Sequence, residues 1–203
     1  MRVLPHFTLD DEMYEVVRAA LAHSAPDVQL SWEDFIDPKG WVLLPNPERP
    51  REPFYRAQRV LLPGHLSSPR YSRTIKVNVW YGPDLRRGER PWPHNHPWDH
   101  FSSRILLGGY EEERWQRRGG GLDIRRAEHG QGSANNVPHD VYHEVTGIFV
   151  PGRTVTLMDC GRSRGKGVWG YLDTETGLYI PYAQSPTKAK FDALYRQRNR
   201  HQL

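Results

Sequence analysis

Cysteine is almost absent from this chain. Cys160 is the single cysteine among 203 residues. One cysteine cannot form an intrachain disulfide, and it cannot supply the group of thiolates that a cysteine-based zinc cluster needs. We interpret Cys160 as a small buried apolar residue, so metal ligands would have to come from histidine or carboxylate side chains.

Long apolar runs are missing as well. No run approaches the roughly 20 residues that a membrane-spanning helix requires, and residues 1–17 carry acidic groups where a signal peptide would have its apolar core. Hydrophobic residues make up 37% of the chain and charged residues 26%, which fits neither a disordered chain nor a membrane protein. We therefore expect a cytoplasmic protein with no membrane partner.

The net charge of +4 is modest, and the arginines that supply most of it are scattered along the chain. The densest basic stretch is KAKFDALYRQRNRHQL, at 188–203. Phe191, Leu194 and Tyr195 fall at helical spacing there, which indicates an amphipathic helix with a solvated basic face. No helix-turn-helix pattern accompanies it, and we expect no nucleic-acid partner.

The order of the predicted elements indicates one domain, 1–203. Its parts are an N-terminal helix with extra strands over 1–70, a barrel core over 71–182 and a C-terminal helix over 186–203. Thr8 and Asp11 resemble a capping box at the start of the first helix. Between the helices, many short strands separated by turns favour an antiparallel sandwich or barrel.

The segment 71–81 alternates between two kinds of side chain. Ile75, Val77 and Val79 fall on one face of the predicted strand, while Lys76 and Asn78 fall on the other. The two faces must meet different environments. Either face can be the one that points into the barrel.

Three histidines crowd the segment PWPHNHPWDHF, at 91–101. Alternate strand residues point to the same side, so His94 and His96 offer a metal ion two imidazoles. His100 and Asp99 are local candidates for a further ligand. The segment NNVPHDVYHEV, at 135–145, adds His143 and, less convincingly, His139.

The spacing of these residues resembles the two motifs of the cupin superfamily, over about 76–161. The residues that match, in chain order, are Gly88, His94, His96, His100 and Gly108 for the first motif, and Gly132, Pro138, Asp140 and His143 for the second. HNHPWD followed by GGY, and later GVWGYLDTETGLYIPY, is similar to a group of small bacterial cupins. The resemblance implies a mainly β fold, a cupin-type double-stranded β-helix or jelly-roll barrel.

The chain departs from that pattern at several positions. The glutamate of the first motif is absent, and its place falls on His100 or on Phe101, depending on the gap. Asp140 replaces the glycine of the second motif, and Gly147 replaces its asparagine. The resemblance implies His94, His96 and His143 as metal ligands.

We predict His100 as an additional ligand, with Asp99 as a further option. A three-histidine face without it resembles the thiol dioxygenase branch of cupins, which hold Fe(II) in that way.

An inward-facing His100 would place Arg104 on the same side of its strand. A buried guanidinium needs a partner, and its planar fork suits a carboxylate or a phosphate. If Phe101 faces inward instead, Arg104 faces solvent or another strand. Arg104, Lys76 and Asn78 are the predicted substrate-binding residues.

These residues predict a mononuclear metal-dependent enzyme. We rank first a non-haem Fe(II) oxygenase of the dioxygenase type, acting on a small polar or anionic molecule, because imidazoles bind Fe(II) and leave positions open. Imidazole also suits Zn, Mn and Ni, so a non-oxidative isomerase, lyase, cyclase or hydrolase is the alternative. A ligand-binding cupin without chemistry is the third. We also expect a homodimer, because short strands have edges that need covering.

Overall fold

The computed structural model describes residues 1–64, 73–84, 91–165 and 168–202. Tyr71, which begins the predicted alternating segment, and Gly88 of the first motif lie outside these residues. The fold is mainly β, every strand pairing is antiparallel, and helices lie near both ends of the chain. The predicted fold class is thereby confirmed.

The helices of the structure are α1 (Asp11–Ser24), α2 (Trp32–Ile36) and α3 (Lys188–Arg198). The strands are β1 (Arg2–Leu4), β2 (Phe7–Thr8), β3 (Trp41–Leu44), β4 (Arg56–Leu62), β5 (Thr74–Trp80), β6 (His100–Leu107), β7 (Gly109–Arg118), β8 (Gly121–Gly130), β9 (Ala134–Pro138), β10 (Tyr142–Ile148), β11 (Thr154–Cys160), β12 (Gly170–Leu172) and β13 (Tyr179–Pro181).

Helix α1 begins one turn after the extended start of the chain. Its cap is Asp10, whose carboxylate accepts a hydrogen bond from the Met13 N–H at 2.9 Å. The sequence predicts a capping box that begins at Thr8, but the cap lies two residues later. Asp10 is the residue with the extended backbone that a cap needs. The apolar face of α1 buries Met13, Val17 and Leu21.

Two sheets dominate the fold. A six-stranded sheet has the order β3-β4-β5-β11-β6-β9, and a three-stranded sheet has the order β10-β7-β8. Trp80 and Ile105 of the larger sheet pack in one cluster with Tyr110 and Val145 of the smaller sheet. The two sheets therefore face each other, as in a jelly roll.

Gly108 carries the chain from the larger sheet to the smaller one. It lies between β6 and β7 with φ of 66°, a conformation that favours glycine. A Cβ atom there would also collide with the side chain of Thr154. The glycine of the first motif thus has a steric reason in this fold.

Strand β5 has the two environments that its alternation predicts. Ile75, Val77 and Val79 belong to the apolar cluster that also contains the buried face of α1. Trp80 packs towards the smaller sheet, and Lys76 and Asn78 share its side of the strand. The polar face, and not the apolar one, therefore points between the sheets.

Side chains at the end of the C-terminal helix bond the first strand of the larger sheet. Asn199 follows α3, and its amide bonds the backbone of Leu43 in both directions, at 2.7 and 2.9 Å. In the described part of the chain, no helix combines the length and the apolar character needed to cross a membrane.

Candidate metal centre

A backbone bridge brings the two histidine motifs together. His94 and His143 exchange N–H···O=C hydrogen bonds in both directions, at 3.0 and 2.9 Å. Directly paired antiparallel residues point their side chains to the same side, so the two imidazoles meet. His96 lies two residues after His94, and its ring joins the other two.

The three rings form a nearly equilateral group. Their centroids are 4.9 Å apart for His94 and His96, and 5.0 Å apart for each of the pairs with His143. One ring nitrogen from each histidine lies within 4.8 Å of those of the other two.

The shortest distance in the group, 2.7 Å, joins the Nε2 atoms of His96 and His143. Two imidazole nitrogens at about 2.1 Å from one ion, at a right angle, lie roughly 3.0 Å apart. A shift of a few tenths of an ångström would therefore seat a metal ion between these rings, and the donor set fits one.

The cluster is shielded from water, and the effect on protonation is clear for His96. His94 and His143 are buried. Burial, followed by repulsion from His94 and His143, lowers the pKa of His96 well below its ordinary value. A neutral imidazole has a free ring lone pair, and this is the form that binds metals.

Glu112 fixes the tautomer of His143. It lies on β7, and its Oε1 is 2.6 Å from His143 Nδ1. An ionised carboxylate accepts hydrogen bonds and cannot donate them, so Nδ1 carries the proton and Nε2 is left free for a metal. This is the carboxylate–histidine arrangement that orients ligands in many metal sites.

The carboxylate of Glu112 is itself held on both oxygens. Arg114 Nε donates to Oε2 at 2.7 Å, His129 Nε2 lies 3.0 Å from the same atom, and Asn135 Nδ2 donates to Oε1 at 3.0 Å. Burial alone would raise the pKa of Glu112, but the hydrogen bonds from His129 and His143 hold that pKa below its ordinary value. The group stays ionised although it is buried.

Sequence reasoning missed Glu112 and His129. A signal for Glu112 exists in the run of three glutamates at 111–113. Strand alternation turns the middle residue of such a run to the opposite face from its neighbours. An acid on the inner face of a strand needs a partner, and here that partner is a histidine of the cluster.

His100 does not join the cluster, and the predicted inward register of β6 is wrong. Its side chain is 64% exposed, and Nδ1 pairs with Asp99 Oδ1 at 2.9 Å. Phe101 is buried, with its ring centroid 4.5 Å from that of His96. The inner position takes the apolar ring, whose burial contributes about 2–3 kcal/mol, and the imidazole stays in water.

The other predicted side chains divide between the two faces. Arg104 is exposed on the outer face of β6, as the Phe101 register requires. Asp99 is exposed beside His100, and His139 lies outside the cluster.

Lys76 and Asn78 lie between the sheets. Asn78 donates to Thr156 Oγ1 at 3.3 Å. Lys76 Nζ is 4.5 Å from the ring centroid of Trp98, and Trp98 in turn stacks on His96 at 5.6 Å with 20° between the planes. Their part in substrate binding stays a prediction.

No protein-family model and no curated protein matches the sequence. The solved structures that resemble it include hydroxypropylphosphonic acid epoxidase from S. wedmorenis, at 15% identity and a TM-score of 0.35, over 52% of this chain and 50% of that one. A variant of Streptomyces PAC13 with uridine has 10% identity and a TM-score of 0.41, over 65% of this chain and 86% of that one.

A cupin superfamily protein from Desulfitobacterium hafniense DCB-2 has 15% identity and a TM-score of 0.34, over 53% of this chain and 78% of that one. The match to the epoxidase covers half of that enzyme's length.

Proposed function

We propose that this protein is a mononuclear metal-dependent enzyme of the cupin type, with His94, His96 and His143 as the metal ligands. We further propose that it is a non-haem Fe(II) oxygenase acting on a small polar or anionic molecule. The observation that carries the proposal is the buried group of three imidazoles, one of which has its tautomer fixed by Glu112.

Three imidazoles on one face of an ion leave other coordination positions open. Fe(II) held there would supply the redox chemistry of an oxygenase. The protein's own contribution is orientation and exclusion of water: Phe101 packs against His96 and His143, with centroid distances of 4.5 and 5.4 Å, and Glu112 holds the proton at His143 Nδ1. Phe101 would form the apolar wall on one side of the cluster, and the substrate would bind on the polar side, near Lys76.

The metal is tested first. Protein purified without oxygen should contain close to one equivalent of metal, and His94→Ala and His143→Ala should lose most of it. His100→Ala is the matched control, since it removes an imidazole a few residues away that lies outside the cluster. Equal metal content in all four proteins would overturn the assignment of ligands.

The reaction class is tested next. Oxygen consumption by the Fe(II)-loaded protein should respond to one or more members of a panel of small carboxylates and phosphates, and His94→Ala should abolish the response. Activity that needs Zn, Mn or Ni and consumes no oxygen would replace the oxygenase with a non-oxidative reaction at the same site.

A further inference from the structure

Two cations lie on the polar inner face of the larger sheet. Arg56 of β4 is the register partner of Trp80 of β5, so both side chains are on one side, and the guanidinium lies 4.5 Å from the Trp80 ring centroid. Lys76 is on the same face of β5, against Trp98. Both cations therefore face the space into which the histidine cluster projects.

The two cations act on each other. Burial lowers the pKa of Lys76, and the charge of Arg56 lowers it further. Like charges repel in this way only when they are near each other and partly shielded from water.

Among the described residues, neither Lys76 nor Arg56 forms an ion pair with a carboxylate; their neighbours are the aromatic rings of Trp98 and Trp80. Cys160 is the acidic group whose charge would favour the Lys76 ammonium, but burial raises the pKa of that thiol to about 12, so it is neutral at physiological pH. Arg56 Nε is buried and has no hydrogen-bond partner in the described part of the chain.

The aromatic contacts only partly offset the loss of water around these partly buried cations. The face of an indole stabilises a cation modestly, and it does not replace an ion-pair partner. Two like charges beside each other add to the cost of losing that water. A sheet face built in this way favours an anion between the cations.

We infer that Lys76 and Arg56 form an anion subsite beside the histidine cluster, which binds the carboxylate or phosphate group of a small substrate. The inference deepens the proposed function. That the anion belongs to a substrate rests on the proposed enzymatic activity, whereas anion binding itself does not. Arginine would grip two oxygens of the anion with its planar fork, and lysine would add a point charge. Trp98 contacts both Lys76 and His96, and it would set the spacing of the anionic group from the metal ligands.

The inference is tested by anion binding to the metal-free protein, at constant ionic strength. The probes are propionate, its neutral amide propionamide, and inorganic phosphate, and calorimetry measures the dissociation constants. We expect propionate or phosphate to bind at least tenfold more tightly than propionamide, and whichever of the two binds more tightly identifies the anionic group. Equal binding of the acid and the amide would overturn the inference.

Variants locate the subsite. Lys76→Met and Arg56→Met should each weaken anion binding about tenfold or more, while Lys76→Arg should retain most of it. Arg104→Ala, which removes an exposed arginine on the outer face of β6, should bind as the wild type does. Wild-type affinity in both methionine variants would place the anion elsewhere.

Thermal unfolding separates this role from a structural one. Without added anion, Lys76→Met should unfold at the same temperature as the wild type or higher, because it removes a partly buried charge that forms no ion pair among the described residues. A large fall would show that Lys76 already has a counter-charge in the protein, and would contradict the inference. Anion binding by the metal-free protein would survive a failure of the metal assignment, so the two proposals can fail separately.

Discussion

Replacing Glu112 by glutamine should weaken metal binding, although the side chain keeps its size. In the wild type, Oε1 faces His143 and Asn135, and Oε2 faces Arg114 and His129. A glutamine has one oxygen for these two positions. If its NH₂ faces Arg114, donor meets donor. If it faces His143, the ring must accept at Nδ1 and carry its proton on Nε2, where the metal would bind.

The expected losses of metal affinity and of stability follow from these two arrangements of the glutamine. Loss of a carboxylate that orients a metal ligand typically costs 10- to 100-fold in metal affinity. Removing one partner of a buried charge pair costs about 3–5 kcal/mol. Arg114 keeps partial access to water, with 26% of its side chain exposed, so we expect the lower end of that range, about 3 kcal/mol.

The assay measures metal affinity by competition with a chelator and the free energy of unfolding in urea. Glu113→Gln is the matched control: it is the same change one residue along β7, where the carboxylate pairs with the exposed Arg126 at 2.6 Å. A surface pair of this kind contributes about 0–1 kcal/mol. If the two variants hold metal equally well, Glu112 does not orient His143.

Three further predictions concern the register, the first helix and the assembly. His100→Ala should leave metal content unchanged, as measured by elemental analysis, because Phe101 occupies the inner position; loss of metal would restore His100 as a ligand. Asp10→Ala should cost about 1 kcal/mol in urea unfolding through loss of the α1 cap. Burial raises the pKa of Asp10, but hydrogen bonds from Met13 N–H and Arg153 lower it further than burial raises it. The stabilisation by Asp10 is therefore present above the ordinary carboxyl pKa and is lost as pH falls. A variant with wild-type stability at pH 7 would contradict this. Light scattering should report a homodimer, and a monomer at high protein concentration would end that expectation.

The sequence predicts the fold class because its signals are local and repeated. Short strands and the turn residues between them favour an antiparallel β fold, and the sheets agree with them. The meeting of His94 with His143 could be predicted only through the resemblance between motifs, since 48 intervening residues separate the two, from Asn95 to Tyr142. In the structure, a backbone bridge accounts for it.

The register of β6 could not be predicted, because one residue separates two opposite outcomes. His100 and Phe101 both suit an inner position next to imidazoles, one as a ligand and the other as an apolar wall. A shift of one residue exchanges the faces of every side chain on the strand, so the error about His100 also moved Arg104 to the wrong side. The partner Cys160 on β11, which is buried opposite Phe101, is the tertiary contact that decides it.

The polarity of the inner face is connected with the position of the apolar core. The largest apolar cluster joins α1 to the outer face of the larger sheet, through residues such as Val17, Val77 and Leu157. Burial there supplies hydrophobic stabilisation without filling the space between the sheets. The inner face of β5 can then carry Lys76 and Asn78, which would be unfavourable in a jelly roll whose sole core lay between its sheets. The N-terminal helix, remote from the histidines in sequence, thus makes a polar site between the sheets compatible with a stable fold.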